Sequence, residues 1–217
     1  MPYLSVDDTH LYYDDRGDGS PLLFVHGLGS SSRDWFEQVP YFADRYRVLR
    51  VDLRGHGRSG RPPGPYHIAQ FARDVAVGLR RLDAAPAHVV GLSMGGMVAL
   101  ELAASAPALV NSLVIANSVA DMRLHTWSDL WFYLSRRLAV QILGVRRVGR
   151  LLAGRLFPKP EQETHRREFV KRWSQNDQRA YVWSVDAIMG WSVMDRLPAI
   201  SAPTLLVSSD QDYTPVS

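Results

Sequence analysis

The stretch Val89-Val90-Gly91-Leu92-Ser93-Met94-Gly95-Gly96-Met97-Val98-Ala99-Leu100 decides the fold of this chain. It begins as a β-branched apolar run and ends in a helix pattern, with Gly-x-Ser-x-Gly between them and Ser93 at its centre. A strand that runs directly into a helix needs a very tight turn, which strains the apex residue and projects its side chain away from the sheet. Gly91 and Gly95 permit this turn, because a side chain there would collide with the neighbouring strand or helix. The pattern predicts a nucleophilic serine or, as the simpler alternative, a serine that only caps the helix.

Strands and helices alternate on either side of this stretch. Strands are predicted over 3–6, 10–14, 21–25, 46–52, 88–92, 113–116 and 202–209, and helices over 34–46, 68–82 and 95–106. Short apolar strands separated by helices are typical of a parallel sheet that is buried on both faces. The predicted fold class is therefore α/β, with a mostly parallel sheet and helices on both faces. Ligands of such sheets bind at the carboxyl ends of the strands, where His26, Asp52 and Ser93 lie.

The alternation stops between residues 120 and 196, where only helical patterns rich in Leu, Arg and Trp occur. We therefore expect a first core part over 1–119, a helical cap over 120–196 and a second core part over 197–217. Residues 121–172 hold ten Arg and two Lys against two Asp and three Glu, a net charge of +7, whereas the whole chain has +3. Either these arginines solvate the outside of the cap, or a basic amphipathic cap contacts anionic lipid or admits an acyl chain. No recognised nucleic-acid-binding module accompanies them, so we expect no nucleic-acid partner.

Composition excludes several classes of protein. The 217 residues contain no cysteine, which rules out disulfides and thiolate metal sites within them, and we expect no metal site. The first eight residues show no secretory signal pattern, and no run of 18 apolar residues occurs. These features predict a cytoplasmic protein.

Four separated segments resemble those of the α/β-hydrolase family, in its serine esterase and lipase branch. They are the oxyanion loop at Val25-His26-Gly27-Leu28-Gly29, the segment Asp52-Leu53-Arg54-Gly55-His56-Gly57-Arg58-Ser59, the nucleophile elbow around Ser93, and Ala202-Pro203-Thr204-Leu205-Leu206-Val207 followed by Asp210-Gln211-Asp212. Their order and spacing match the family over nearly the whole chain. The resemblance implies an α/β-hydrolase fold and cleavage of a carboxylic ester through an acyl-enzyme.

The resemblance also assigns the residues of the site. Ser93 would be the nucleophile, and the backbone N–H groups of Leu28 and Met94 would stabilise the oxyanion. Asp212 is the first candidate for the acid of the triad, Asp210 the second and Asp121 the third. No metal or organic cofactor is implied, and the tryptophan-rich cap suggests a hydrophobic ester as substrate. Lactone hydrolysis and carbon–carbon bond hydrolysis use the same kind of serine elbow and remain alternatives. The oligomeric state is left open.

The general base departs from the family pattern. In chain order the triad runs Ser, Asp, His, yet the last histidine is His165, before the predicted acid. We expect His26 to brace the oxyanion loop and His56 to bond within its own turn, which leaves His125 and His165 in the predicted cap as weaker candidates. A C-terminal segment that carries the base and is absent from the sequence is the favoured expectation. The rival hypothesis is a non-catalytic, ligand-binding member of the same fold.

Overall fold

The computed structural model describes residues 2–209, whose strands form one seven-stranded sheet. The strands are β1 (Tyr3–Val6), β2 (Thr9–Arg16), β3 (Ser20–Val25), β4 (Tyr46–Val51), β5 (Ala87–Leu92), β6 (Val110–Ala116) and β7 (Thr204–Val207). Their order in the sheet is β1-β2-β4-β3-β5-β6-β7. The two pairings made by β2 are antiparallel, and the four pairings from β4 to β7 are parallel. The predicted α/β class with a mostly parallel sheet is confirmed.

Six α-helices are found in the described part of the chain. They are α1 (Gln38–Phe42), α2 (Ile68–Arg81), α3 (Met94–Ser105), α4 (Trp127–Leu156), α5 (Glu163–Trp173) and α6 (Gln178–Ile188). Alternate residues of a strand point to opposite faces of the sheet. On β3, Leu23 and Val25 therefore join the core under α2 and α3, whereas Leu22 and Phe24 pack against Trp35 and the short α1. Helices cover both faces, as predicted. None of the helices within residues 2–209 has the length and apolarity needed to cross a membrane.

The helix predicted over 34–46 is wrong in its extent. A 3₁₀ turn forms at Ser32–Trp35, and α1 begins only at Gln38 and ends at Phe42. The reason is Pro40, which lacks an N–H group and clashes with the preceding turn, so it is tolerated only in the first turn of a helix. A helix that contains Pro40 has to begin shortly before it, as α1 does.

The chain between β6 and β7 contains α4, α5 and α6, which we call the helical segment (residues 127–188). Thr126 and Asp129 form a capping box at the start of α4. Gly144, with φ 76°, interrupts α4 and divides it into two halves. The segment has a core of its own, made of Val140, Val145, Val148, Trp173, Tyr181, Val182 and Val185. The predicted boundaries of the cap, at 120 and 196, stay a prediction.

Glu101 on α3 fixes the path by which the chain returns to the sheet. Its buried carboxylate accepts two hydrogen bonds of 2.7 Å from Arg196 and one of 2.9 Å from the Trp191 indole. Burial alone would raise the pKa of Glu101, but the donors of Arg196 and Trp191 hold it below its ordinary value. An ionised Glu101 therefore ties residues 191–196 to the helix that follows Ser93.

Candidate active site

Ser93 is the single residue between the end of β5 and the start of α3. Its backbone has φ 52° and ψ −118°, a conformation that is strained for any residue with a side chain. The Ser93 N–H donates to the Ala116 carbonyl at the end of β6 (2.9 Å), and the Ser118 hydroxyl donates to the Ser93 carbonyl (2.7 Å). The end of the neighbouring strand therefore holds the strained turn in place.

The glycines of the elbow allow close packing between the turn and β3. A Cβ atom added at Gly95 would lie 2.3 Å from the Val25 carbonyl oxygen, and one at Gly91 would lie 2.4 Å from the Gly95 carbonyl oxygen. Neither position admits a side chain without a backbone shift. The tight strand-to-helix turn predicted from the glycine spacing is thus what the structure contains.

The loop after β3 lies directly beside the elbow. A Cβ atom at Gly27 would be 3.4 Å from Ser93 Cβ and 4.0 Å from Ser93 Oγ. The fully buried His26 ring braces this loop, because its Nδ1 donates to the Gly27 carbonyl (2.8 Å) and its Nε2 accepts from the Leu53 N–H (3.0 Å). One donating and one accepting nitrogen define a neutral imidazole. Both nitrogens of His26 are occupied, as expected for a structural histidine.

The two predicted oxyanion donors belong to the two segments next to Ser93, the loop after β3 and the start of α3. Leu28 follows Gly27 in the loop, and Met94 is the first residue of α3, where the helix dipole also favours negative charge. Within residues 2–209, neither N–H group donates a hydrogen bond in a turn, loop or cap. Such donors, aimed at a developing oxyanion, are what acyl transfer requires. The roles of Leu28 and Met94 stay predictions.

The first two acid candidates, Asp212 and Asp210, lie outside the described residues. The third candidate, Asp121, is bound in an ion pair with Arg123, whose closest nitrogen lies 2.7 Å away. The donors of Arg123 hold the pKa of Asp121 well below its ordinary range. His125 Nε2 lies 3.4 Å from the same carboxylate, and this imidazole is 63% exposed. In the described structure, the contacts of Asp121 are therefore those of a surface ion pair.

A general base is not brought to Ser93 by the described residues. All seven histidines of the sequence lie within residues 2–209, and in this range no histidine makes a hydrogen bond with Ser93 Oγ. His165, the other histidine weighed for this role, is exposed and stacks on the Phe157 ring, with 6.1 Å between ring centroids. The structure thus brings Ser93 close to the loop after β3, and the described residues provide no base beside it.

Asp52 joins the loops after β3 and β4 behind the site. Its buried carboxylate accepts hydrogen bonds from the backbone N–H groups of Ser32 (2.6 Å) and Arg58 (2.8 Å), and its carbonyl accepts one from the Ser59 hydroxyl. The sequence placed Asp52 at a strand end without indicating these partners. Its function is to fix loop geometry next to the candidate site.

The helical segment also contacts the loop after β3. Asn176 Nδ2 donates to the Gly29 carbonyl (2.6 Å), and the Trp173 and Tyr181 rings pack so closely that a Cβ atom at Gly29 would lie 2.7 Å and 2.9 Å from them. Arg172 adds a 3.3 Å hydrogen bond to the Arg33 carbonyl. Sequence reasoning missed these contacts, because partners more than a hundred residues apart leave no local pattern.

Comparison with known proteins identifies the family. The family model for the alpha/beta hydrolase fold matches residues 20–214, which is most of the chain. The chain belongs to the α/β-hydrolase family.

Three relatives illustrate the similarity. A relative from Azorhizobium caulinodans, which carries the provisional name of a carbamate hydrolase, is 44% identical over 123 residues, 55% of this chain and 45% of that protein. The 3-oxoadipate enol-lactonase 2 of Acinetobacter baylyi is 32% identical over 215 residues, 96% of this chain and 78% of that protein. The crystal structure of the enol-lactonase from Burkholderia xenovorans LB400 superimposes with a TM-score of 0.86 at 28% identity, covering 95% of this chain and 80% of that one. The match thus spans less than half of the first relative and about four fifths of the two lactonases.

The strain at Ser93 predicts an unusual order of stability between two variants. We expect Ser93→Gly to be more stable than Ser93→Ala by about 1–2 kcal/mol, because glycine relieves a strain of about 1–3 kcal/mol and loses part of that gain to its greater unfolded-state entropy. Urea unfolding of both variants measures the difference. Ser135 in α4 is the matched control, since a helix interior reverses the order, with alanine the more stable by about 1 kcal/mol. Equal stability of the two Ser93 variants would contradict a strained elbow.

Proposed function

We propose that this chain is a serine hydrolase that cleaves a carboxylic ester through an acyl-enzyme on Ser93. The observation that carries the proposal is the strained turn at Ser93, which places the hydroxyl beside the Gly27 loop and ahead of the α3 N-terminus. A fold builds and maintains such strain where a reactive side chain has to project from a sheet. A helix cap does not explain it, because the Ser93 hydroxyl makes no capping hydrogen bond to α3.

The proposed reaction has two steps. Ser93 Oγ attacks the ester carbonyl, its proton passes to a histidine, and the negative oxygen accepts hydrogen bonds from the N–H groups of Leu28 and Met94. The alcohol leaves with the proton from that histidine. Water then attacks the acyl-enzyme, the histidine takes the proton of the water and passes it to Ser93 Oγ, and the carboxylic acid leaves. Asp212, or Asp210 in second place, would orient the histidine. The proposal needs a histidine that residues 2–209 do not bring to Ser93, and in the chain order Ser, Asp, His this histidine would follow the acid.

Lactone hydrolysis is the second candidate reaction. The chain is 32% identical to the 3-oxoadipate enol-lactonase 2 of Acinetobacter baylyi over 96% of its length, and this similarity favours a cyclic ester. A lactone is an ester whose alcohol stays attached to the acyl group, so Ser93 and both N–H donors would act as described above. The two candidates differ only in the shape of the substrate.

Labelling with a fluorophosphonate probe tests the proposal, because the phosphorus atom reacts only with an activated serine. We expect mass spectrometry to find one phosphonyl group on Ser93, no label on Ser93→Ala, and full labelling of Ser135→Ala, at a position on α4, as a control. A folded protein whose Ser93 stays unlabelled would overturn the proposal and favour the ligand-binding alternative. Chromogenic esters of increasing acyl length and an enol-lactone, each with Ser93→Ala as the blank, then separate the two candidate substrates.

A further inference from the structure

The first half of α4 exposes an apolar stripe. Its members recur every three or four residues, as one face of a helix requires, and are 46–86% exposed: Trp127, Trp131, Leu134, Leu138 and Ile142. The opposite side of the same half faces α6, where the Tyr133 hydroxyl donates to Asp186 (2.7 Å). The stripe thus points away from the rest of the helical segment. A contiguous exposed apolar patch of this kind marks an interaction surface.

The second half of α4 exposes a set of unpaired arginines. Arg146, Arg147, Arg150 and Arg155 are exposed, and none forms an ion pair within residues 2–209. Between Asp129 and Glu161 the sequence has six Arg and one Lys and no acidic residue. This end of α4 therefore carries a concentrated positive charge that the described protein does not neutralise.

We propose that α4 docks on the surface of an anionic lipid bilayer. Tryptophan and aliphatic side chains bury at the boundary between headgroups and acyl chains, and arginines bind the phosphate groups above it. The two halves of α4 meet these requirements in turn, the first with the stripe at 127–142 and the second with the arginines at 146–155. The proposal does not depend on hydrolysis, so Ser93→Ala is expected to bind vesicles as the parent does.

The charge distribution favours a bilayer over two other occupants. A second copy of the chain that packed stripe against stripe through a two-fold contact would cover the apolar side chains. It would offer no negative charge to Arg146, Arg147, Arg150 and Arg155 of either copy, whereas anionic headgroups neutralise them. A nucleic acid would neutralise the arginines but leave the stripe of Trp, Leu and Ile exposed to water.

Vesicle sedimentation tests the proposal. The protein is mixed with vesicles of phosphatidylcholine alone or of phosphatidylcholine with phosphatidylglycerol, at low and high salt. We expect binding to the anionic vesicles, weaker binding at high salt, and a loss of about fivefold in partitioning for each arginine replaced by glutamine. R146Q/R147Q/R150Q should therefore bind on the order of a hundredfold more weakly. R45Q/R73Q/R80Q, which removes three exposed arginines of the sheet domain, is the matched control and should bind as the parent.

A second pair of variants tests the apolar stripe. L138S/I142S should reduce partitioning by about tenfold or more, whereas Tyr41→Ser, at a 67% exposed position on α1, should have no effect. Four outcomes overturn the proposal. They are equal binding to neutral and anionic vesicles, binding that survives both sets of substitutions, a concentration-dependent dimer without lipid that L138S/I142S abolishes, and tight binding to duplex DNA that needs the arginines but not the stripe.

Discussion

We expect Asp74→Ala to lower the free energy of unfolding by about 3–5 kcal/mol. Asp74 on α2 and Arg54 in the loop after β4 are both 1% exposed, and two hydrogen bonds of 2.6 Å and 2.7 Å join their side chains. Removal of the carboxylate leaves the guanidinium buried, with Asp8, at 3.2 Å, as its remaining acidic partner. Denaturant unfolding, followed by circular dichroism, measures the loss.

Two further variants distinguish the contribution of the buried Arg54–Asp74 pair from the effect of leaving the Arg54 charge without a partner. Asp8 is 58% exposed, so Asp8→Ala should cost less than about 1 kcal/mol. The double variant Arg54→Met with Asp74→Leu should regain much of the loss, because apolar side chains of similar volume need no charge partner. If Asp74→Ala and Asp8→Ala were equally mild, the buried pair would not stabilise the fold as argued.

Acid should destabilise the protein through His56. This imidazole is fully buried, its Nδ1 donates to the Arg54 carbonyl (2.9 Å), and its Nε2 has no hydrogen-bond partner in the described part of the chain. Burial lowers the pKa of His56 from 6.5 to about 3, and the Arg54 carbonyl and the negative charge of Asp52 only partly oppose this. The folded state therefore excludes a proton that the unfolded state binds.

The direction in which stability changes with pH depends on which state binds the proton. Between pH 6.5 and about 3 the unfolded chain carries the proton and the folded chain does not, so stability rises with pH in this window. The contribution is complete above pH 6.5 and is lost progressively as the pH falls toward about 3.

Unfolding experiments at several pH values isolate this effect. We expect the stability of His56→Asn to depend less steeply on pH between 6.5 and 4 than that of the parent, because the titrating group is gone. His165→Asn, at an exposed position on α5, is the control and should retain the parent's slope. Parallel curves for His56→Asn and the parent would show that His56 does not control acid stability.

Local patterns explain why much of the fold was predictable. The apolar runs of β3 to β6 and the glycines around Ser93 are patterns of only a few consecutive residues. Strand, turn and helix could therefore be predicted from the local sequence. The elbow itself was predictable for the same reason, since only glycine fits at 91 and 95. The helix over 34–46 was predicted too long because the apolar spacing indicated a continuous helix, whereas Pro40 limits where a helix can begin.

Contacts between distant residues explain the part that was not predictable. Arg54 and Asp74 read as ordinary charged residues, and only the packing of α2 against the β4 loop buries them together. Asn176 and Gly29 are 147 residues apart, and nothing near either residue indicates their hydrogen bond. The role of Asp212 rests on resemblance alone and stays a prediction.

The contact between Gly29 and the helical segment bears on how this protein could be recombined with its relatives. Because Trp173 and Tyr181 leave no room for a side chain at residue 29, the helical segment and the loop after β3 form one unit of exchange although they are far apart in sequence. A chimera that imports residues 127–188 alone would place foreign side chains against the loop that carries Leu28. Productive crossovers would keep residues 26–34 and the helical segment from the same parent.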